Sequence, residues 1–270
     1  MFKDELIHLN VLKNEHSANV CLFPKKLNSI FTCKFSLIIR AEMCINLSDL
    51  IEITPQIKML RVSESFTSNV YLIGQDAYLV IDTGLYAHNL IEAMKKSKIS
   101  LESLQNIILT HSHVDHIGGL NELVEKTSAD VSIHESEANY VEEGDKEATA
   151  AAIFSLPLQG TPIARRLQEG DIIKFDKFVF EVLHTPGHTC GSICLYEKKA
   201  RILFSGDTVF AHGSFGRTDL PPGGNSKDLI NSLKRLADLD IEFLAPGHMD
   251  VVNDGQSHIK KSYEVAKTYL

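Results

Sequence analysis

Thr110-His111-Ser112-His113-Val114-Asp115-His116 is the stretch on which the whole chain turns. It follows Asn106-Ile-Ile-Leu-Thr110, an apolar run that predicts a buried strand, and precedes Gly118 to Lys126, which predicts a helix. Loops held between rigid elements are where reactive side chains are placed. Three imidazoles and a carboxylate form a donor set suited to zinc, iron or manganese. In an extended loop, residues i and i+2 point the same way, so His111 and His113 can grip one ion. Asp115 and His116, turning into the helix, can face a second. The plain alternative is a solvated histidine-rich loop, and the H-x-H-x-D-H spacing speaks against it.

Three more residues fit the same site. His188 stands in Thr185-Pro-Gly-His188, Asp207 in Phe204-Ser-Gly-Asp207, and His248 in Ala245-Pro-Gly-His248. Each follows a strand-like run and has a glycine beside it, which lets the backbone turn tightly and come close to an ion. Taken singly, each is an ordinary turn residue. Taken together, they are convergent ligands.

Outward from these motifs, Val70-Tyr-Leu-Ile and Tyr78-Leu-Val-Ile predict two strands joined at Gly74-Gln-Asp76. Helices are expected over His88–Lys98, Ser136–Glu143, Ser226–Ala237 and Gln256–Leu270. Strands are expected at Val131–Ile133, Ile172–Lys174, Phe178–Leu183, Ile193–Tyr196, Ile202–Phe204 and Glu242–Ala245. The intermixing predicts an α/β (α+β) class, with two layers of sheet covered by helices. Gly144 to Arg166 is irregular and is expected to pass over the site. Residues 1–50 keep no sustained period and are expected to form an N-terminal extension, poorly ordered or upstream of the true start, with residues 51–270 as the domain. Met43 and Met59 are both candidate starts.

Composition narrows the partners. The 270 residues are 44% hydrophobic and 23% charged, as in an ordinary globular chain. The net charge of −8 gives no electrostatic reason to expect nucleic acid or an anionic membrane surface. Five cysteines at irregular spacing are no disulfide framework, so a reducing, cytoplasmic setting is expected. Asp4 and Glu5 sit where a secretory signal carries basic residues. No run reaches the ~20 mostly apolar residues that a spanning helix needs.

The motifs at Thr110–Gly119, Thr185–His188, Ser205–Asp207, Gly216–Leu220 and Pro246–His248, with Val80-Ile-Asp82-Thr-Gly84, resemble the metallo-β-lactamase superfamily, and within it the glyoxalase II-like hydrolases. The resemblance runs from about residue 53 to the end. It implies an αββα sandwich of two mixed sheets face to face with helices outside. It also implies two divalent metal ions, zinc first, with iron or manganese as alternatives. Carried over by position, His111, His113 and His188 would hold one ion and Asp115, His116 and His248 the other, with Asp207 bridging them. A metal-bridging hydroxide, with Asp115 helping to orient it, would cleave a small thioester or ester. Asp82, Thr110 and Asp219 would brace the ligands, although Arg217 and Asp219 also suit a plain ion pair.

A rival within the superfamily is a persulfide dioxygenase, with a single iron held by the positions matching His111, His188 and Asp207. Gly213-Ser-Phe-Gly216 favours the hydrolase. Glyoxalase II carries a helical domain that helps hold the glutathione thioester. After His248 this chain has only residues 249–270, enough for one helix. The pocket is therefore expected to be shaped by the Gly144–Arg166 excursion, with Arg165 and Arg166 either meeting a substrate carboxylate or lying exposed. Met249 stands where the family often has glycine, and Pro221-Pro222 varies a single-proline pattern. His134, His184, His212 and His258 fit no ligand position.

Overall fold

The computed structural model describes residues 50–61 and 66–270. The expected extension over residues 1–50 lies, apart from Leu50, outside the described residues. The first sheet has seven strands that neighbour one another in chain order. These are β1 (Leu50–Thr54), β2 (Ile57–Leu60), β3 (Val70–Gly74), β4 (Tyr78–Ile81), β5 (Leu104–Ile108), β6 (Asp130–His134) and β7 (Arg165–Leu167). Strands β1 to β4 pair antiparallel, and β4 to β7 pair parallel. Parallel pairing needs crossovers. Helix α1 (Ala87–Lys96) supplies one, the short α2 (Val114–Ile117) with α3 (Leu120–Thr127) the next, and α4 (Glu135–Glu143) starts the third.

The second sheet has six strands, also in chain order. These are β8 (Ile172–Phe175), β9 (Phe178–His184), β10 (Ile193–Glu197), β11 (Ile202–Gly206), β12 (Phe243–Pro246) and β13 (Val252–Asn253). Helix α5 (Ser226–Ala237) makes the crossover between the parallel pair β11 and β12, and α6 (Gly255–Tyr269) closes the chain.

The central strands read as continuous apolar runs because both of their faces are buried. In β3 and β4, Tyr71, Ile73, Leu79 and Ile81 point into a core shared with Phe180, Val182, Leu195 and Phe204 of the second sheet. Their alternate neighbours Val70, Leu72, Tyr78 and Val80 face Leu90, Met94, Leu120 and Leu123 of the outer helices. On the far side, Cys194, Tyr196 and Leu203 pack on Leu229, Leu233 and Leu236 of α5 and Ile259 of α6. The expected order of helix, sheet, sheet and helix is therefore what the chain forms.

Two features were not expected. The β1–β2 hairpin extends the first sheet, yet β1 is a half-exposed edge strand with no apolar alternation to announce it. The far end of the Gly144–Arg166 excursion becomes β7, a three-residue edge strand carrying two exposed arginines. Among the described residues, no helix is long and apolar enough to cross a membrane.

Candidate metal centre

The ligand candidates stand at the C-terminal ends of strands. Asp82 follows β4, His111 follows β5, His188 follows β9, Asp207 follows β11 and His248 follows β12. Two glycines show how closely these loops approach. Gly187 has φ +137°, and a side chain there would collide with the Leu229 backbone at the start of α5. A Cβ on Gly247 would collide with Asp207 Oδ1 and lie 2.8 Å from His116 Cε1. The loops carrying Asp207 and His248 also share a backbone bond from Gly247 N to Gly206 O, 2.7 Å.

Within this frame the structure brings together all seven residues. His111 Nε2 lies 3.1 Å from His113 Nδ1, which lies 2.9 Å from His188 Nε2. Asp115 Oδ2 lies 3.1 Å from His248 Nε2 and 3.7 Å from His116 Nε2. The Asp207 carboxylate sits between these two groups. Its Oδ1 is 3.3 Å from His116 Nε2, and its Oδ2 is 3.4 Å from His248 Nε2 and 3.7 Å from His188 Nε2. Three overlapping sets of ligand atoms each fall within 4.8 Å. They are His111 with His113 and His188, His111 with His116 and Asp207, and Asp115 with His116 and His248.

Outer hydrogen bonds turn the rings of His111, His113, His116 and His188 so that one nitrogen of each faces inward. His113 Nε2 donates to Pro221 O at 2.7 Å, and His188 Nδ1 donates to Arg217 O at 2.7 Å. His116 Nδ1 donates to Asp82 Oδ2 at 2.8 Å. His111 Nδ1 donates to Thr110 Oγ1 at 3.1 Å, and that hydroxyl donates on to Asp82 Oδ2 at 2.8 Å. Asp82 Oδ1 also accepts from Thr110 N at 2.8 Å. Asp82 therefore orients His116 directly and His111 through Thr110. It does so from φ +57°, a conformation that aspartate tolerates better than most residues.

Asp219 stands apart. It lies on the surface in a two-pronged ion pair with Arg217, 2.6 and 2.7 Å, and touches none of the histidines. The contact to His188 is made by the Arg217 carbonyl instead. Arg165 pairs with Asp171, and Arg166 with Glu142 and Asn139, so neither reaches the cavity. His134 stacks on His184, and His212 N donates to His258 Nδ1, all outside the cluster.

Glu137 is the residue that sequence reasoning missed. It is fully buried on α4. Its Oε2 accepts from Ser112 N and its Oε1 from Gly191 N, both at 2.6 Å. One carboxylate thus clasps the loop of His111 and His113 to the loop that follows His188. The only sequence signal is an acidic residue on the inner face of an amphipathic helix.

The electrostatics suit cations. Burial and neighbouring imidazoles hold His111 well below its usual range, and burial pushes His188 down to about 4. Burial opposes protonation of His248 too, but Asp207 and Asp115 more than offset it and raise it to about 9. His116, likewise against burial, is raised by Asp82, Asp207 and Asp115. His116 Nε2 and Asp207 Oδ1 are buried and face each other at 3.3 Å, an ion pair once the imidazole is protonated. Five inward-facing imidazole nitrogens converging on two carboxylates in a largely buried site form a donor set that fits divalent metal ions.

Residues 65–248 match the family model described as the metallo-beta-lactamase superfamily. The hydroxyacylglutathione hydrolase GloC of Haemophilus influenzae is 35% identical over 199 residues, covering 71% of this chain and 90% of that protein. The acyl-coenzyme A thioesterase MBLAC2 of Homo sapiens is 31% identical over 232 residues, covering 75% and 78%. The crystal structure of TTHA1623 in a di-iron-bound form superposes with a TM-score of 0.60 at 31% identity, covering 72% of this chain and 93% of that one.

Proposed function

The chain belongs to the metallo-β-lactamase superfamily, and we propose that on this scaffold it is a dinuclear metal-dependent hydrolase of small thioesters or esters. GloC and MBLAC2, as thioester hydrolases, support that substrate class. The carrying observation is the convergence of seven ligand residues into three overlapping sets of atoms, each within 4.8 Å, with the Asp207 carboxylate between them. A single ion on His111, His188 and Asp207, as in the persulfide dioxygenase reading, leaves the converging set of Asp115, His116 and His248 unused. Two ions use every inward-facing ligand atom. Zinc is the first choice for this nitrogen-rich set, and the di-iron form of TTHA1623 keeps iron in view.

His111, His113 and His188 would hold one ion and Asp115, His116 and His248 the other, with Asp207 between them. Two bound ions would supply an ionised water near neutral pH and polarise the substrate carbonyl. The residues of the chain do the rest. Asp82 and Thr110 keep His111 and His116 in the tautomer that points Nε2 inward. Asp115 and Asp207 line the cavity floor, where Asp115 would help orient the attacking water. The departing thiolate needs no protein acid, because thiols ionise near pH ~8.5. We further propose a cytoplasmic setting, supported by the free thiols of Cys190 and Cys194 among the described residues.

The test is a panel of thioesters and oxyesters on the metal-loaded protein, with oxygen uptake on a persulfide run beside it. Thioester turnover without oxygen uptake is expected. Oxygen uptake without hydrolysis would overturn the proposal in favour of the dioxygenase.

A further inference from the structure

A cavity of about 540 Å³ opens over the cluster, with His113, Asp115, His188, Asp207 and His248 as its floor. That is the size range of sites that bury small organic ligands. Its walls are mostly apolar, built from Phe66, Leu85, Phe154, Leu156, Phe210 and Leu220, with Tyr86 beside them. Beyond the ligand carboxylates, the one charged side chain on the wall among the described residues is Arg217, already held by Asp219. Phe66 and Phe154 come from distant segments, yet their rings meet at 5.8 Å. They remain 63% and 42% exposed, beside the exposed Ile153. A contiguous exposed apolar patch at a site mouth marks a surface kept for a ligand.

Resting on the thioesterase reading, we propose that the acyl half of the substrate is an extended apolar chain, seated against Phe66, Phe154 and Leu156. The thiol half of a biological thioester rides on a polar carrier, which gains nothing from this wall. A hydroxylated or carboxylated acyl group seated against Phe66, Phe154 and Leu156 would set its polar atoms against phenyl and leucyl carbons. An alkyl chain removes those carbons from water. Phe154 and Leu156 belong to the Gly144–Arg166 excursion, so that segment sets acyl preference.

The test uses the zinc-loaded full chain and thioesters of one thiol, N-acetylcysteamine, bearing acetyl, butanoyl, hexanoyl, octanoyl and lactoyl groups. Each methylene brought onto the wall is expected to raise kcat/KM by about three- to fourfold, and each pair by about tenfold, until the cavity fills. Lactoyl is expected to fall below butanoyl. Phe154→Ala is expected to lower the octanoyl-to-acetyl ratio of kcat/KM by about tenfold, and Phe66→Ala with Phe154→Ala by more. Both rings are exposed, so these substitutions do not open the core, and a melting curve checks that. A flat or falling chain-length series overturns the apolar-acyl proposal while thioester hydrolysis stands. So does an unchanged ratio in the double variant. Absence of turnover on every thioester overturns both.

Discussion

Glu137→Gln removes half of a clasp. The buried carboxylate accepts from Ser112 N and Gly191 N, each at 2.6 Å. Glutamine keeps one carbonyl oxygen for one of these amides and turns an NH₂ group toward the other, setting two donors face to face. The loss is one charge-assisted hydrogen bond, about 1.5–3 kcal/mol. For a domain of this size, that lowers Tm by about 3–10 °C. Ser112 stands between His111 and His113, and Gly191 follows His188 closely. The three imidazoles therefore lose their mutual spacing, and metal affinity is expected to fall by about 10- to 100-fold, the usual cost of losing such an outer partner. Competition against a zinc-sensitive chelating dye reads the affinity, and scanning calorimetry reads Tm. Unchanged affinity with Tm within about 1 °C would refute the reasoning. A lowered Tm with unchanged affinity would confine Glu137 to folding.

Asp207→Ala removes the carboxylate that lies 3.3–3.7 Å from His116, His248 and His188. It is expected to lose most bound metal and nearly all turnover, and normal metal content with full activity would count against the site. With His248 raised to about 9 and His116 also raised, the ion-free centre carries protons on both at pH 7. Metal must displace them, so uptake is expected to release roughly one to two protons at pH 7 and to strengthen as pH rises from 6 toward 9. Calorimetry in two buffers of different ionisation heat measures the release, and none at pH 7 would contradict it. Asp219→Asn breaks only a surface pair with Arg217, 61% and 68% exposed. It is expected to shift Tm by less than about 2 °C and to leave metal content unchanged, as elemental analysis would show.

What was legible in the chain follows from where the physics is local. The buried strands β3, β4, β10 and β11 announce themselves because both faces must be apolar. The ligands announce themselves because His and Asp beside glycine at strand ends have few other uses in such number. Gly187 and Gly247 were marked for tight approach, and contacts to Leu229 and Asp207 leave no room for a side chain there. The rest depends on neighbours far along the chain. The edge strands β1 and β7 exist only because a partner strand is already in place. Glu137 acquires its role from two amides 25 and 54 residues away. Asp219 sits inside a family-like motif, but its neighbour Arg217 holds it at the surface and offers its own carbonyl to His188 instead. The excursion was expected to shape the pocket, and Ala150, Phe154 and Leu156 do line it, while Arg165 and Arg166 turn to surface partners.

Metal content per chain tests the central claim most directly, by elemental analysis of protein purified without added metal or chelator and assayed in the same preparation. Seven converging ligands in overlapping sets predict about two ions per active chain, zinc or mixed with iron or manganese. Full thioester turnover with a single ion per chain would contradict a dinuclear site. One iron with oxygen uptake on a persulfide would replace it with the mononuclear dioxygenase.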